Sequence, residues 1–315
     1  MEILKNLNSE EKTSAFLYIL NTINNEKNVN TQINMIISLL KSKLIYGSGY
    51  YSSDIIENIL IRESNKLNIE LTNKYNKNTI LHIMTTSYSN GGHTRVVERW
   101  IENPLDLKQH SLLLTEQNVE EVNQRLKMAI LDNKGEIVSI NNIKNIYEKA
   151  IELRKIASKY EIIILHIHNY DILPILAFAN KNFTRPIALY NHSDHLFWIG
   201  ICISDMILEL RTYGIKVSNN YRDIARNFFV GIPLDDKICK NYYNKNEIKE
   251  NLKISKDKKI ILSVASSYKF TTYKAFNFTK IINQVLLENE NTYFIIIGAN
   301  ANSLNWNINH SRVKL

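Results

Sequence analysis

Ile80-Leu-His-Ile-Met-Thr-Thr-Ser-Tyr-Ser-Asn-Gly-Gly-His-Thr-Arg-Val-Val-Glu98 is the stretch that decides the fold. Residues 79–85 form a near-continuous apolar run of strand length, a Gly-rich loop ends it, and 94–101 reads as helix. A strand without polar alternation is one buried on both faces, as in parallel sheets covered by helices. Further short apolar runs follow at 110–114, 137–140, 162–166, 186–190 and 201–204. Helical segments separate several of them, most clearly at 143–157. Strands alternating with helices predict an α/β domain with a doubly wound parallel sheet over 76–232.

Upstream, residues 1–75 carry no strand pattern. Phe16, Leu17, Ile19, Leu20 and Ile23 recur at helical spacing, as do Ile33, Ile36, Ile37 and Leu40, and then Ile55, Ile56, Ile59 and Leu60. Ser9 with Glu10 and Glu11 reads as one helix start, and Ser53-Asp54 as another. This is a helical N-terminal extension packed on the α/β domain. Downstream, the apolar run 228–232 ends at Pro233, and a Lys/Asn-rich stretch leads to a second βαβ unit. Its parts are a strand at 259–265, a helix at 274–287 and a strand at 293–297. So few strands would leave open apolar faces, so 233–315 is expected to be an incomplete second Rossmann-like domain of a C-terminally truncated chain.

Bulk properties narrow the function. The 315 residues are 44% hydrophobic, enough for more than one core. Two cysteines, Cys202 and Cys239, make no disulfide framework and read as small buried hydrophobes in a reducing compartment. Residues 1–14 lack the apolar core of a signal peptide, and no run reaches the ~18 apolar residues of a membrane span. The expectation is a cytoplasmic protein. Its net charge of +8 is spread along a Lys/Asn-biased sequence. A diffuse charge is the plain reading; attraction to an anionic membrane face or to phosphorylated ligands is the other. No spacing of basic and aromatic residues suggests nucleic-acid binding.

Four segments could carry chemistry. Gly91-Gly92, with His93, opens the helix after the first strand. Paired glycines let backbone N–H groups face an anion at the helix start, but a tight turn without ligand fits equally well. Two histidine-bearing segments, Leu165-His-Ile-His-Asn-Tyr-Asp171 and Tyr190-Asn-His-Ser-Asp-His195, sit at strand exits, where α/β sheets place their ligand crevice. His166 reads as a core histidine with a satisfied ring. His192, Asp194 and His195 are the catalytic candidates: a neutral imidazole could hydrogen-bond a substrate oxygen, with a carboxylate orienting it. The same residues permit a metal-hydrolase reading. Against it, His-x-His falls near the fourth strand, and the chain beyond is too short for a complete (β/α)₈ barrel. In the second domain, Lys269 and Lys274 could hold a diphosphate as point charges, or could belong to one more solvated basic loop.

As an ordered set, 80–98, Ile164-Leu-His-Ile-His168, Leu189-Tyr-Asn-His192 and Ile261-Leu-Ser-Val-Ala265 resemble retaining glycosyltransferases of the GT-B fold, in the broad glycosyltransferase family four group. The resemblance covers about 78–300. It implies a GT-B-like pair of Rossmann-like domains, an acceptor-side one and a partial nucleotide-sugar one. It also implies sugar transfer from a nucleotide-diphosphate sugar to an acceptor hydroxyl on a glycan, lipid-linked or protein acceptor, without metal or cofactor. By that resemblance Gly91 and Gly92 lie near the donor phosphates and the acceptor, and His192 lies by the transferred sugar. The family's second-domain Arg is replaced by Ser266 or Ser267, leaving Lys269 and Lys274 as substitutes. Its glutamate-rich donor-binding segment has no counterpart after Gly298. The rival expectation is a non-catalytic product of a truncated transferase gene.

Overall fold

The computed structural model describes residues 7–69, 71, 74–89, 91–103, 105–224, 226–234, 244–265, 267–270, 276–298 and 311–314. Two compact units are present, Met1–Leu234 and Asp235–Leu315.

The first unit begins with helices α1 (Ser9–Asn25), α2 (Val29–Lys41) and α3 (Asp54–Lys66), followed by β1 (Asn76–Met84) and α4 (Gly92–Ile101). Then come β2 (Gln109–Leu114), α5 (Gln124–Asp132), β3 (Ile137–Ser139), α6 (Ile146–Ala157), β4 (Tyr160–His166) and α7 (Leu173–Phe178). The unit closes with β5 (Ile187–Asn191), β6 (Met206–Glu209), α8 (Thr212–Tyr221) and β7 (Asn227–Phe229). The strands form one seven-stranded sheet, β3-β2-β1-β4-β5-β6-β7, with parallel pairing throughout. The chain winds outward from β1 to β3 and returns to β4 on the other side of β1. The winding direction reverses between β1 and β4, the place where such sheets open a ligand crevice at their carboxyl ends.

Alternate residues of each strand face opposite ways. Leu81, Ile83, Leu113, Ile163, Leu165, Ile187 and Leu189 join one aliphatic core with Phe16, Ile36, Ile56, Leu60, Leu153 and Leu176. The N-terminal helices therefore share the first unit's core. Asn8, one residue earlier than the sequence suggested, caps α1 in a capping box with Glu11, and Ser53 caps α3 as expected. Arg154, 1% exposed, donates from its guanidinium to the carbonyls of Ser64, Leu67, Leu176 and Ala177, tying α3, α6 and α7 together. On the opposite face, Ile80, Ile164, Ala188, Tyr190 and Leu208 pack under α4 through Val96 and Trp100.

One strand assignment is corrected. Ile201–Ile203 is a 3-10 turn, and the strand lies at Met206–Glu209. The buried Glu57 carboxylate accepts the backbone N–H groups of Gly200, Ile201 and Cys202 at 2.7, 3.1 and 2.7 Å. Those donors are unavailable to a strand ladder, and Gly200 at φ +118° turns the chain there. The same turn leaves Cys202 exposed, not buried as expected; Cys239 lies outside the described residues. No helix among the described residues is long and apolar enough to cross a membrane.

The second unit holds α9 (Lys245–Asn251), β8 (Lys259–Val264), a 3-10 turn at Ser267–Phe270, α10 (Phe278–Glu288), β9 (Thr292–Ile297) and β10 (Val313–Lys314). Its three strands are parallel in the order β10-β9-β8. Phe270, Ile282, Leu286, Phe294 and Ile296 form its core. Gly298, at φ +88°, is required where it is: a Cβ there would come within 2.8 Å of the Ala265 carbonyl oxygen. Leu262 and Val264 are 56% and 65% exposed, so β8 is far less covered than any central strand of the first sheet.

Candidate functional site

The carboxyl ends of β1, β2 and β4 are pinned by one buried carboxylate. Asp171 Oδ2 accepts from Thr85 Oγ1 at 2.7 Å and Thr115 Oγ1 at 2.8 Å, and Oδ1 accepts from the N–H of Leu173 at 3.1 Å. Thr85 Oγ1 in turn accepts the N–H of His168 at 2.9 Å. The loop leaving β1 is held from its outer side as well. Gln117 Oε1 accepts the Ser87 N–H and hydroxyl at 2.7 and 2.8 Å, and Thr94 Oγ1 accepts the N–H of Tyr88 at 2.7 Å. A rigid rim is what a binding loop needs to be selective.

α4 starts on this rim with Gly91 as its N-cap, and among the described residues no side chain caps it. An uncapped helix start leaves N–H donors free and carries the positive end of the helix dipole. A Cβ on Gly92 would meet no atom within 4 Å. Among the described residues, then, no packing need explains the glycine, and none of them fills the space above it.

His93, the next residue, sends Nε2–H to the His166 carbonyl oxygen at 3.0 Å. A carbonyl only accepts, so the neutral ring must carry its lone pair on Nδ1, and that atom is buried without a hydrogen-bond partner among the described residues. Burial, reinforced by His168 nearby and opposed by the bond to the carbonyl, pushes the His93 pKa down to about 4. His192 stands with its ring centroid 4.2 Å from that of His93. Its Nε2 meets His166 Nδ1 at 3.1 Å, while its Nδ1 makes no hydrogen bond among the described residues. Burial first, then His93 and His168, holds His192 well below the ordinary histidine pKa. His168 completes the rim: Nδ1 meets the Tyr170 hydroxyl at 2.8 Å and Nε2 the Tyr88 hydroxyl at 3.0 Å. The helix start of α4 and the neutral imidazoles of His93 and His192 thus lie next to one another.

Asp194 and His195 point elsewhere. Asp194 Oδ2 accepts from Arg211 Nε at 2.8 Å, Oδ1 pairs with Arg211 Nη2, and His195 Nδ1 lies 3.2 Å from Oδ1. The arginine, with the hydrogen bond to His195, outweighs burial and keeps this carboxyl below its usual range. No hydrogen bond joins Asp194 to His192, and the His195 side chain is 58% exposed. Gly214 packs against this cluster, since a Cβ there would stand 2.2 Å from Glu209 Oε2 and 3.1 Å from Asp194. In the second unit Lys269 is exposed on the 3-10 turn after β8; Lys274 lies outside the described residues.

Among the described residues no group of three or more His, Cys, Asp or Glu is placed to share a metal ion. Of the rings that suggested such a site, His166 and His192 meet each other, His168 meets two tyrosine hydroxyls and His195 meets Asp194. Sequence reasoning passed over Tyr88, His82 and His110. Their signal was available: His82 and His110 are lone polar rings inside otherwise apolar strands, where a buried ring needs partners.

No protein-family model matches this chain, and no curated protein matches it either. The likeness is to solved structures. Anabaena Alr3699/HepE in complex with UDP and glucose is similar at 10% identity over 75% of this chain and 68% of that one, with a TM-score of 0.51. The UDP-GlcNAc 2-epimerase of Neisseria meningitidis bound to UDP-GlcNAc matches at 13% identity, over 75% and 71% of the two chains, with a TM-score of 0.49. A putative UDP-N-acetylglucosamine 2-epimerase from Listeria monocytogenes matches at 14% identity over 76% and 69%, also at 0.49. At such identities the likeness concerns the fold, which is a GT-B-like α/β architecture with a seven-stranded parallel sheet and a second parallel sheet.

Proposed function

We propose that this chain binds a nucleotide-diphosphate sugar and transfers the sugar to an acceptor hydroxyl on a glycan, lipid-linked or protein acceptor. The observation that carries the reading is the start of α4 at Gly91-Gly92, without a side-chain cap among the described residues, immediately followed by neutral His93, whose ring lies beside that of His192. Backbone N–H groups at a helix start suit phosphate oxygens. Imidazoles held neutral by burial suit hydroxyl groups, to which they offer a lone pair without competing for the phosphate charge. Such a transfer needs a leaving diphosphate stabilised by fixed dipoles and a positioned acceptor, and no protein nucleophile.

His192 is the residue we assign to the reacting sugar, with His93 beside it. Asp194 acts through Arg211 and the loop that carries His192 and His195. Lys269, and Lys274 outside the described residues, are the second unit's candidates for diphosphate charge. The protein bound in the Anabaena structure to UDP and glucose shares this fold, which supports the ligand class without fixing the base or the sugar.

The test is turnover. The chain is incubated with UDP- and GDP-sugars and a pool of hydroxyl acceptors, and nucleoside diphosphate release and the glycosylated product are followed by chromatography. Release coupled to a new glycoside, lost in His192→Ala, supports transfer. An isomerised sugar nucleotide with no glycoside would replace transfer by epimerisation, and no consumption of any donor would leave the non-catalytic reading standing.

A further inference from the structure

Four histidines lie in a single hydrogen-bonded row across the sheet. His110 Nδ1 meets His82 Nε2 at 2.9 Å, His82 Nδ1 meets His166 Nε2 at 3.0 Å, and His166 Nδ1 meets His192 Nε2 at 3.1 Å. The strand register produces the row. His82 pairs with Leu112, two residues beyond His110; Met84, two beyond His82, pairs with His166. Leu165 pairs with Leu189, which places His192 two residues further along again. Each ring is thus one step sideways and two residues forward, always on the face under Trp100. The row runs diagonally from the start of β2 to the crevice. His82, His110 and His166 are fully buried, and burial first of all drives each of their pKa values down, so the rings are neutral.

Four neutral rings carry four ring protons, and two facing N–H groups or two facing lone pairs across a 3 Å gap are excluded. Only two concerted arrangements remain. With protons directed toward the crevice, His110 Nε2 is a buried lone pair 3.3 Å from the Asp106 carboxylate oxygen, which repels it. With protons directed the other way, His110 Nε2–H faces that carboxylate. The approach is too bent to count as a hydrogen bond, yet it is electrostatically favourable. Asp106 is itself held by the Trp100 indole N–H at 3.0 Å and the Lys108 N–H at 3.1 Å. Its side chain is 18% exposed, so it reaches solvent.

We propose that Asp106, acting through His110, His82 and His166, fixes His192 as the Nε2–H tautomer, leaving Nδ1 as a proton acceptor in the crevice. The group bound at Nδ1 is then a hydroxyl or N–H donor and not a phosphate oxygen. The row also provides an outlet for one proton. A proton taken by His192 Nδ1 releases Nε2–H to His166 Nδ1; His166 passes its own to His82, His82 to His110, and His110 Nε2–H goes to the Asp106 carboxylate. Every ring ends neutral with its proton on the other nitrogen, and Asp106 ends protonated beside solvent. Asp106, His110, His82 and His166 are positioning residues. The ligand class at Nδ1 rests on the proposed function, but the tautomer does not.

The tautomer is read directly by NMR of the whole chain with isotope-labelled histidine, the His192 signals being identified by their loss in His192→Gln. The expected spectrum shows His192 with Nε2 protonated and Nδ1 bare, favoured severalfold by the Asp106 charge. In Asp106→Leu the preference should fall severalfold, and in Asp106→Leu on a His82→Leu background, where the row is cut, Asp106 should no longer influence His192. A wild-type His192 protonated at Nδ1 would overturn the proposal without any variant. So would an unchanged His192 tautomer in folded Asp106→Leu. Failure of sugar-nucleotide turnover with the expected tautomer present would count against the proposed function alone.

Discussion

The two faces of the seven-stranded sheet are built from the same strands, one residue apart, yet they do different work. The face toward α1, α2, α3, α6 and α7 is aliphatic, with Leu81, Ile83, Leu113, Ile163 and Leu165 packed into one continuous core. The face toward α4 interrupts its apolar residues with His82, His110 and His166, all at 0% exposure. Burying three imidazoles stabilises less than burying three leucines and demands that every ring nitrogen find a partner. The first face explains why the domain is folded. The second explains why its crevice has a defined chemistry.

The largest expected difference between the faces is in acid. His82, His93, His110, His166, His168 and His192 all have pKa values lowered first of all by burial. Each is neutral when folded and takes up a proton when unfolded, so unfolding binds protons as pH drops below about 6.5. Stability is whole above that value and is lost on the way down to the folded pKa, about 4 for His93. Each ring contributes a slope of at most about 1.4 kcal/mol per pH unit. Urea unfolding followed between pH 7.5 and 5 should therefore lose several kcal/mol, which an aliphatic core alone would not. A pH-independent midpoint would contradict the neutral row.

Next comes Leu165→Ala on the aliphatic face, expected to cost about 2–5 kcal/mol by urea unfolding while leaving the His192 tautomer unchanged. His82→Leu on the other face keeps the volume but strands His110 Nδ1 and His166 Nε2, and should cost about 2–4 kcal/mol at pH 7.5. It should also make the protein less sensitive to acid, a combination a packing defect would not produce. Glu57→Gln removes the charge that gathers three backbone N–H groups. A loss of about 1–3 kcal/mol in urea unfolding is expected. The smallest effect on stability belongs to Gly92→Ala, under about 1 kcal/mol, since alanine suits a helix and meets open space.

The sheet was legible because its strands are unbroken apolar runs bounded by loops, and parallel pairing with the helices between them follows from that pattern. What escaped was decided by tertiary partners. Residues 201–203 look like a strand until Glu57, far upstream, takes their N–H groups. The strands at Met206–Glu209 and Asn227–Phe229 are only four and three residues long, too short for a strand pattern to stand out. The same contrast holds at the crevice. Gly91-Gly92 and His192 stand out in the sequence because glycine pairs and strand-exit histidines have local meanings. Asp194 reads in sequence as an orienting partner for His192, but Arg211, invisible at that distance in sequence, engages its carboxylate. The imidazole row depends on register across four strands, and no single strand carries that information.

Gly92→Ala gives the most direct test of the central claim, because it alters the space above the helix start and nothing that holds the fold together. Calorimetric titration of wild type and Gly92→Ala with UDP and UDP-glucose, with GDP as the alternative base, reads that space. The account predicts saturable binding by the wild-type chain to one of these nucleotides, and at least about tenfold weaker binding by the equally stable variant. Binding that is unchanged by the methyl group would place the ligand elsewhere. No binding by the wild-type chain would contradict the assignment of this crevice to a sugar nucleotide.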